Sequence, residues 1–302
     1  MADKKLKFAL FGNEYQARKS ASIQRVLDSL VAHGSEIYID RPFYEFLTQT
    51  VGIKTRVDGI FDDYNFDVDF CISMGGDGTF LKTAARVGAK CIPIVGINTG
   101  RLGFLADVGP TEIDEALQLL FDGTYEVEKQ TVIKIEAEGE PIEGNPYALN
   151  DIALLKRDTA SMISIRTSIG GDYLVTYQAD GLIVTTPTGS TAYSLSNGGP
   201  IMVPRTGTLC LTAVAPHSLN IRPIVIPDDC EITLEVESRS HNFLAAIDGR
   251  SEKLLEGTRV TIRKAPFAAH VVKRLGQRYF STLREKMMWG MDGRRQFDIR
   301  DF

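Results

Sequence analysis

A buried strand that runs directly into a glycine-rich turn constrains this chain more than any other feature of its sequence. The strand is the apolar run Phe70 to Met74, and the turn is Gly75-Gly76-Asp77-Gly78. The following residues, Thr79 to Val87, have the spacing of an amphipathic helix, and Gly88 is expected to end it. A strand, a glycine turn and a helix in this order are typical of an anion site, because the backbone N–H groups at a helix start are unpaired.

Strands and helices alternate through the first third of the chain. Apolar runs at 6–11 and 92–97 predict two further buried strands. Two more helices are predicted, one ended by Gly34 and one over Thr111 to Phe121 ended at Gly123. The first of these has an apolar face made of Ile23, Val26, Leu27, Leu30 and Val31. Continuous apolar strands that alternate with helices predict a parallel sheet covered on both faces.

Short strands of alternating polarity replace this pattern near residue 125. Apolar residues alternate with polar ones over 163–169, 232–236 and 260–262, and Gly170-Gly171-Asp172 indicates a hairpin turn. Tyr279 to Met288 has a helical pattern again. We therefore expect an α/β domain with a parallel sheet over 1–124, a mainly β domain over 125–275, and a C-terminal helical segment over 276–302 that packs back on the first domain.

The composition of the chain argues against nucleic-acid, membrane and protein-bound metal partners. A net charge of -5 disfavours a nucleic-acid partner. No apolar run is long enough to span a bilayer, and the apolar run at the N-terminus is too short for a signal peptide, so we expect no membrane partner. The 4 cysteines form no Cys-x-x-Cys pair and the 4 histidines have no metal-ligand spacing. We predict a cytoplasmic protein with buried, reduced thiols and no metal cage of its own.

Asp77 is the unusual member of the glycine turn, because a carboxylate opposes the binding of an anion at the same place. One interpretation is structural, since Asp-Gly is a common turn dipeptide and aspartate caps helices. The other is catalytic: a carboxylate beside phosphates orients a hydroxyl nucleophile and accepts its proton. The glycines are expected to supply positive φ and close approach of a ligand. The turn is neither a Walker A motif nor G-x-G-x-x-G, and the residues alone leave both interpretations open.

A second ligand-binding segment follows the apolar strand Leu182 to Val184. It reads Thr185-Thr186-Pro187-Thr188-Gly189-Ser190-Thr191-Ala192-Tyr193-Ser194-Leu195-Ser196. Helix capping explains one or two such hydroxyls. Eight hydroxyl residues in twelve positions, framed by glycine and proline, indicate that some bind a base edge or a phosphate. Tyr193 is available to pack against a ring.

Both segments resemble known kinase motifs. The run from Gly75 to Thr79 resembles the signature shared by NAD kinases, diacylglycerol and sphingosine kinases and, more loosely, 6-phosphofructokinases. The run from Thr186 to Tyr193 closely resembles a stretch that is specific to NAD kinases. The chain is thus similar to bacterial NAD kinases over most of residues 70–250. This resemblance implies a Rossmann-like first domain of the phosphofructokinase and diacylglycerol-kinase type, and phosphoryl transfer from ATP to the adenosine 2′-hydroxyl of NAD, giving NADP.

The resemblance also implies roles for individual residues. Asp77 is the general base, and Mg²⁺ arrives with ATP. Asn98 and Gly100 shape the pocket near Phe104, while Asn150-Asp151 holds the ribose on the nicotinamide side with a carboxylate one methylene shorter than glutamate. The phosphate loop is Gly75, Gly76, Gly78 and Thr79. The NAD-binding residues are Asp77, Gly78, Lys82, Phe104, Asn150, Asp151, Asp180, Thr191, Ala192, Tyr193, Ser194, Leu195 and Ser196.

Several alternatives stay open at this point. A lipid kinase of the diacylglycerol type shares the glycine turn, and a non-catalytic NAD or NADP sensor would share the second segment. A Rossmann dehydrogenase is disfavoured because its glycine fingerprint is missing. The donor is open between ATP, other triphosphates and polyphosphate, and the acceptor between NAD and NADH. The resemblance also implies that the protein forms a homodimer or homotetramer. Asp248-Gly249 is interpreted as a hairpin turn and His217 as structural.

Overall fold

The computed structural model describes residues 5–12, 20–100, 103–157, 161–276 and 279–290. These residues fall into two compact units. The first takes the described residues within Met1–Arg86, Ile92–Glu128 and Val271–Phe302, and the second those within Val87–Cys91 and Lys129–His270. Arg101 and Leu102, and residues 277–278 and 291–302 of the predicted C-terminal segment, lie outside the described part of the chain.

Six α-helices and seventeen strands make up the described residues. The helices are α1 (Ser20–Ala32), α2 (Arg41–Glu45), α3 (Asp77–Val87), α4 (Ile113–Phe121), α5 (Tyr193–Ser196) and α6 (Tyr279–Met287), with a π-helix at Phe46–Val51 and 3-10 helices at Gly88–Lys90 and Thr188–Thr191. The strands are β1 (Lys7–Gly12), β2 (Glu36–Asp40), β3 (Gly59–Phe61), β4 (Phe70–Gly75), β5 (Ile94–Asn98), β6 (Tyr125–Ala137), β7 (Tyr147–Ala148), β8 (Asp151–Lys156), β9 (Ile163–Ile169), β10 (Asp172–Ala179), β11 (Gly181–Thr185), β12 (Thr208–Val214), β13 (Ile224–Pro227), β14 (Ile232–Glu237), β15 (Asn242–Ile247), β16 (Arg250–Leu255) and β17 (Arg259–Arg274).

A parallel sheet in the order β3-β2-β1-β4-β5 forms the first unit, as the alternating pattern predicts. β1 pairs in parallel with both β2 and β4, so the strand order reverses beside β1. Val271 of β17 pairs in parallel with Ile94 of β5. In open α/β sheets the loops that follow the strands at such a reversal diverge and leave a crevice for ligands. The glycine turn follows β4, which is one of these strands.

The helices of the first unit follow the predicted pattern with small corrections. In α1 the predicted face is buried except for Val31, which is 43% exposed. Val31 lies about 80° around the helix from Ile23, at the edge of the apolar stripe. Gly34 ends the helix at φ 68°. β1 begins and ends one residue later than predicted, α4 begins two residues later, and α3 begins two residues earlier, at Asp77.

The second unit is built from antiparallel strands, as expected for a mainly β domain. One sheet has the order β13-β12-β11-β8-β15-β16, and β10-β9-β14-β17 form a second antiparallel set. Ile152, Val184, Ile165 and Leu234 from both sets belong to one buried core. Gly170 and Gly171, at φ 59° and 89°, form the two-residue turn between β9 and β10, because only glycine adopts such angles without strain.

Two expectations from composition also meet the structure here. Among the described residues, every helix is too short or too polar to cross a bilayer. The four cysteines are free thiols, but only Cys71 and Cys210 are buried. Cys91 and Cys230 are partly exposed, so the prediction of burial was wrong for these two. Cys91 directly follows the 3-10 helix Gly88–Lys90, and Cys230 lies in the turn between β13 and β14.

Candidate active site

The glycine turn between β4 and α3 keeps ordinary backbone angles. None of Gly75, Gly76 and Gly78 has a positive φ, so that expectation was wrong. What matters is the missing side chain. A Cβ on Gly75 would lie 2.7 Å from Thr79 Cβ, whereas a Cβ on Gly76 or Gly78 would have no neighbour within 4 Å. Gly75 is therefore required by packing, while Gly76 and Gly78 leave open space beside the turn for a ligand.

The Asp77 carboxylate binds a neighbouring loop instead of capping its own helix. Its Oδ2 accepts the N–H of Phe104 at 3.0 Å, and its Oδ1 accepts those of Leu105 and Ala106, each at 3.0 Å. Lys286 Nζ of α6 donates to Oδ2 at 3.2 Å. A Cβ on Gly103 would overlap Asp77 Oδ1, which explains the glycine just before this loop. The structural interpretation of Asp77 as a helix cap is thus replaced by a loop clamp.

These contacts set the charge of Asp77. Burial raises the pKa of its carboxyl. The N–H of Ala106, the charge of Lys286 and the remaining N–H groups together lower it by more, so the pKa lies below its ordinary value. Asp77 is therefore ionised at neutral pH. It is also a weaker base than a free aspartate, which favours orientation of a hydroxyl over early proton abstraction.

The neighbouring loop after β5 is ordered by its own side chains. Asn98 is buried, and its Oδ1 accepts the N–H of Gly100 at 2.5 Å. The half-buried Phe104 ring lies 6.3 Å from the Tyr279 ring, and Lys286 Nζ lies 4.3 Å from the Phe104 centroid. Lys82 is exposed on α3. Sequence reasoning missed Tyr279 and Lys286, because no spacing pattern connects residues about two hundred positions apart.

In the second unit, Asp248 holds the predicted ribose-binding segment. Its carboxylate accepts the N–H groups of Leu149 and Asn150 at 2.8 Å each and that of Asp151 at 3.2 Å. Asp248 and Gly249, at φ 47° and 80°, form the two-residue turn between β15 and β16. The hairpin prediction is therefore confirmed, but the positioning role of the carboxylate was not predicted.

The hydroxyl-rich segment binds the other side of the same backbone. Thr186 Oγ1 donates to Leu149 O at 2.5 Å, and Thr185 Oγ1 donates to Asn150 O at 3.1 Å. A Cβ on Gly189 would lie 2.5 Å from the carbonyl carbon of Asn150. The Thr185, Thr186 and Ser190 hydroxyls are buried and bonded to the protein. These three hydroxyls therefore serve the fold, and ligand binding by other hydroxyls of the segment stays a prediction.

The side chains assigned to adenine and ribose remain accessible. Thr191 and Ala192 are half-buried, Ser196 is exposed, and Tyr193 is 38% exposed. Leu195 is half-buried, whereas Ser194 is buried with its Oγ 2.9 Å from Thr212 Oγ1, so any ligand contact of Ser194 comes from its backbone. Asp180 forms an ion pair with Lys156 at 2.7 Å.

Asn150 lacks an expected hydrogen bond, and Asp151 has a raised pKa. Asn150 Oδ1 is buried and has no hydrogen-bond partner among the described residues. Burial, together with the neighbouring Asp248 charge, raises the pKa of Asp151 to about 7. Burial also raises the pKa of Asp248, but the three N–H groups it accepts oppose this, so Asp151 is the member that holds a proton near neutrality.

Comparison with known proteins identifies the family. Residues 8–125 match the ATP-NAD kinase N-terminal domain, and residues 149–274 match the ATP-NAD kinase C-terminal domain. The chain is 58% identical over 289 residues to the NAD kinase of Bacteroides fragilis, covering 96% of this chain and 100% of that one. The chain belongs to the ATP-NAD kinase family. The NAD kinase of Porphyromonas gingivalis is 43% identical over 94% of this chain and 98% of its own.

Solved structures of ATP-NAD kinase relatives show the same fold. A yeast NADH kinase complexed with NADH superimposes with a TM-score of 0.85 at 20% identity, covering 98% of this chain and 91% of that one. An NAD kinase from Archaeoglobus fulgidus in complex with ATP has a TM-score of 0.73 at 26% identity, covering 94% and 99%. The resemblance inferred from two motifs and the predicted fold class are thereby confirmed.

Among the described residues, no group of three His, Cys, Asp or Glu side chains is placed to hold a metal ion. Phosphoryl transfer in the ATP-NAD kinase family depends on a divalent metal. A metal that enters as a complex with the nucleotide needs no such group, because the donor phosphates and water supply its oxygen ligands.

Proposed function

We infer that this chain is an enzyme that transfers the γ-phosphoryl group of ATP to the adenosine 2′-hydroxyl of NAD, giving NADP and ADP. The observation that carries this conclusion is the ionised Asp77 at an open glycine turn in a chain that is 58% identical to an NAD kinase. ATP as the donor is supported by the complex of the Archaeoglobus fulgidus relative, which is 26% identical.

In the proposed reaction the 2′-oxygen attacks the γ-phosphorus in line. The new O–P bond forms as the bond from the γ-phosphorus to its bridging oxygen breaks, ADP leaves, and the hydroxyl proton passes to Asp77. Asp77 acts as the general base, mainly by orienting the hydroxyl, because the proton moves late in a loose transition state. The loop Gly75, Gly76, Gly78 and Thr79 holds the donor phosphates at the start of α3, although the Thr79 N–H itself donates to Gly76 O at 3.0 Å.

NAD is bound by the residues that the resemblance assigned. Asn150 supports this proposal most directly, since its buried Oδ1 has no donor among the described residues and ribose hydroxyls supply one. Asp151 binds the same ribose, and Tyr193 packs against the adenine. The remaining contacts come from Asp77, Gly78, Lys82, Phe104, Asp180, Thr191, Ala192, Ser194, Leu195 and Ser196.

Magnesium enters as the MgATP substrate, which agrees with the oxygen ligands and bound waters that Mg²⁺ prefers. We further propose that the enzyme acts in the cytoplasm, where the four free thiols stay reduced. We propose that it works as a homodimer or homotetramer, as its family resemblance implies.

The proposed function is tested by incubating the protein with ATP, Mg²⁺ and NAD and measuring NADP with an NADP-specific dehydrogenase. Asp77→Asn should lower kcat by roughly 10²- to 10⁴-fold while NAD affinity, measured by calorimetry, stays within about threefold. Asp172→Asn, at an exposed carboxylate of β10, is the matched control and should keep full activity.

Equal losses of affinity and turnover in Asp77→Asn would reduce Asp77 to a structural clamp. If the wild type binds NAD but makes no NADP, polyphosphate replaces ATP in the next assay. Failure of both donors would favour a sensor.

A further inference from the structure

The Asp77 carboxylate has no free acceptor position in this structure. A carboxylate offers about four lone-pair sites. Oδ1 accepts from Leu105 and Ala106, and Oδ2 accepts from Phe104 and Lys286. If Asp77 orients the acceptor hydroxyl, as the proposed function requires, one of these four donors has to leave when the substrate binds.

Lys286 is the donor that can leave without disturbing the backbone. The three N–H groups belong to a loop whose Leu105 and Ala106 are buried and whose Gly103 N–H is bonded to Ala106 O at 3.1 Å. Lys286 Nζ instead lies at the end of a flexible side chain that is 30% exposed. The ion pair between Lys286 and Asp77 is therefore the contact that a hydroxyl replaces.

The reaction also needs a cation near the place that Lys286 occupies. Negative charge spreads over the phosphoryl oxygens during transfer, and cations stabilise it. The glycine turn contains no lysine within Gly75 to Thr79, unlike a Walker A motif. Lys286 Nζ lies 3.2 Å from Asp77 Oδ2 in the free enzyme. A hydroxyl that takes this place puts the attacking oxygen where the ammonium was, so the displaced ammonium needs to move only about one hydrogen-bond length to stay near the reacting atoms.

We propose that Lys286 is a substrate-displaced cation of the kinase site: its ammonium holds Asp77 in the free enzyme and moves to the phosphoryl oxygens when the acceptor hydroxyl takes its place. The Phe104 ring keeps the ammonium nearby during this exchange, since Nζ lies 4.3 Å from its centroid, a favourable distance for a cation over an aromatic face. This inference rests on the proposed function and adds a catalytic residue from α6 to it.

The first test is a set of three variants. Lys286→Met removes the charge and should lower kcat about 10- to 100-fold while the NAD KM changes less than about threefold. Lys286→Arg keeps the charge and should recover much of the loss. Lys54→Met, at an exposed lysine of the same unit, is the control and should match the wild type. A partly exposed ion pair contributes little to stability, so the melting temperature should hardly change.

A second readout follows the displacement without turnover. Trp289 is the only tryptophan of the chain. It lies just beyond α6, and its backbone N–H donates to Arg284 O at 3.3 Å. Binding of NAD with a non-hydrolysable ATP analogue should change Trp289 fluorescence in the wild type, and Lys286→Met should lose this change. Because the Lys286 charge lowers the pKa of Asp77, the acid limb of kcat/KM in Lys286→Met should also move to higher pH.

Two outcomes would overturn this proposal. Wild-type kcat and an unmoved acid limb in Lys286→Met would make the ion pair purely structural. A faster Lys286→Met would make Lys286 an inhibitor of its own site. Absence of NADP from the wild type is a failure of the proposed function itself. In that case a lost fluorescence response in Lys286→Met still supports displacement by ligand, and a retained one opposes it.

Discussion

Two aspartates, each followed by glycine, bind three consecutive backbone N–H groups apiece in this protein. Asp77 binds residues 104–106, and Asp248 binds residues 149–151. The N–H of Ala106 and the charge of Lys286 keep the pKa of Asp77 low against its burial, whereas burial raises the pKa of Asp248. The same clamp therefore occurs with an ionised carboxylate in one place and beside the protonated carboxyl of Asp151 in the other.

The raised pKa of Asp151 predicts a dependence of stability on pH. Its folded pKa of about 7 lies above the ordinary 3.8, so the folded state favours the protonated carboxyl. This contribution is complete below about pH 4 and is lost as the pH rises through 7, at about 1.4 kcal/mol per pKa unit. Between pH 5 and pH 8 the free energy of unfolding should fall less in Asp151→Asn than in the wild type, by a few kcal/mol.

Urea unfolding at several pH values measures this difference. Asp172→Asn, an exposed substitution, should keep the wild-type slope with pH. Parallel slopes for the wild type and Asp151→Asn would contradict the assignment of the proton to Asp151.

At the scale of elements, the β4–turn–α3 connection separates packing from ligand binding within four residues. Gly75 lies against Thr79, whereas Gly76 borders open space. Gly75→Ala should destabilise the protein by about 1–3 kcal/mol, because the added methyl group overlaps the Thr79 side chain. Gly76→Ala should leave stability within about 0.5 kcal/mol and raise the KM for ATP, because the methyl group occupies space left for the phosphates.

Thermal unfolding and steady-state kinetics on this pair distinguish the two roles, each variant serving as the control for the other. If Gly76→Ala loses stability and keeps its KM for ATP, the open space beside the turn does not receive the donor.

The segment 149–151 shows how three elements combine to place one functional group. The hairpin turn between β15 and β16 supplies Asp248, the last residue of β11 is Thr185, and Thr186 follows it. Backbone N–H and C=O groups of the segment are both engaged, so the backbone that carries Asn150 is held on both sides, while Asn150 Oδ1 has no hydrogen-bond partner in the part of the chain that the structure describes. An element held on both sides in this way is pre-organised for a ligand.

At the scale of the whole molecule, the chain builds two units of different class. A parallel α/β unit carries Asp77 and Lys286, and an antiparallel β unit carries Asn150, Asp151 and Tyr193. The first unit takes chain from three separate ranges, including the described C-terminal helix. The two matched family domains, at 8–125 and 149–274, correspond to these two classes of structure.

The proposed assembly makes a prediction at this scale. Light scattering coupled to size exclusion should give two or four times the 33.3 kDa mass of the chain. The mass should persist on dilution to concentrations used in the activity assay. A mass of one chain together with full activity would remove the oligomer from the proposed function.

Features that depend on neighbouring residues could be predicted before the fold was known. Alternation at Ile165 and Leu234 predicted the β unit, because side chains alternate along a strand. The run from Gly75 to Thr79 predicted a glycine turn at a helix start, and the segment Thr186 to Tyr193 pointed to NAD. Helical spacing wrongly predicted burial of Val31, because this residue lies at the edge of the apolar stripe.

Contacts between residues far apart in the chain could not be predicted, because they depend on the fold. Lys286 reaches Asp77 over 209 positions, and Asp248 reaches Leu149 over 99. The hydroxyls of Thr185 and Thr186 suggested a ligand site in the sequence. In the structure they donate to backbone carbonyls of residues 149–150 and so hold the fold. The spacing of residues along the sequence does not predict these pairs, because they form only when strand order and loop paths bring distant segments together. The charge of Asp77 and the protonation of Asp151 depend on those pairs, so they too belong to the fold.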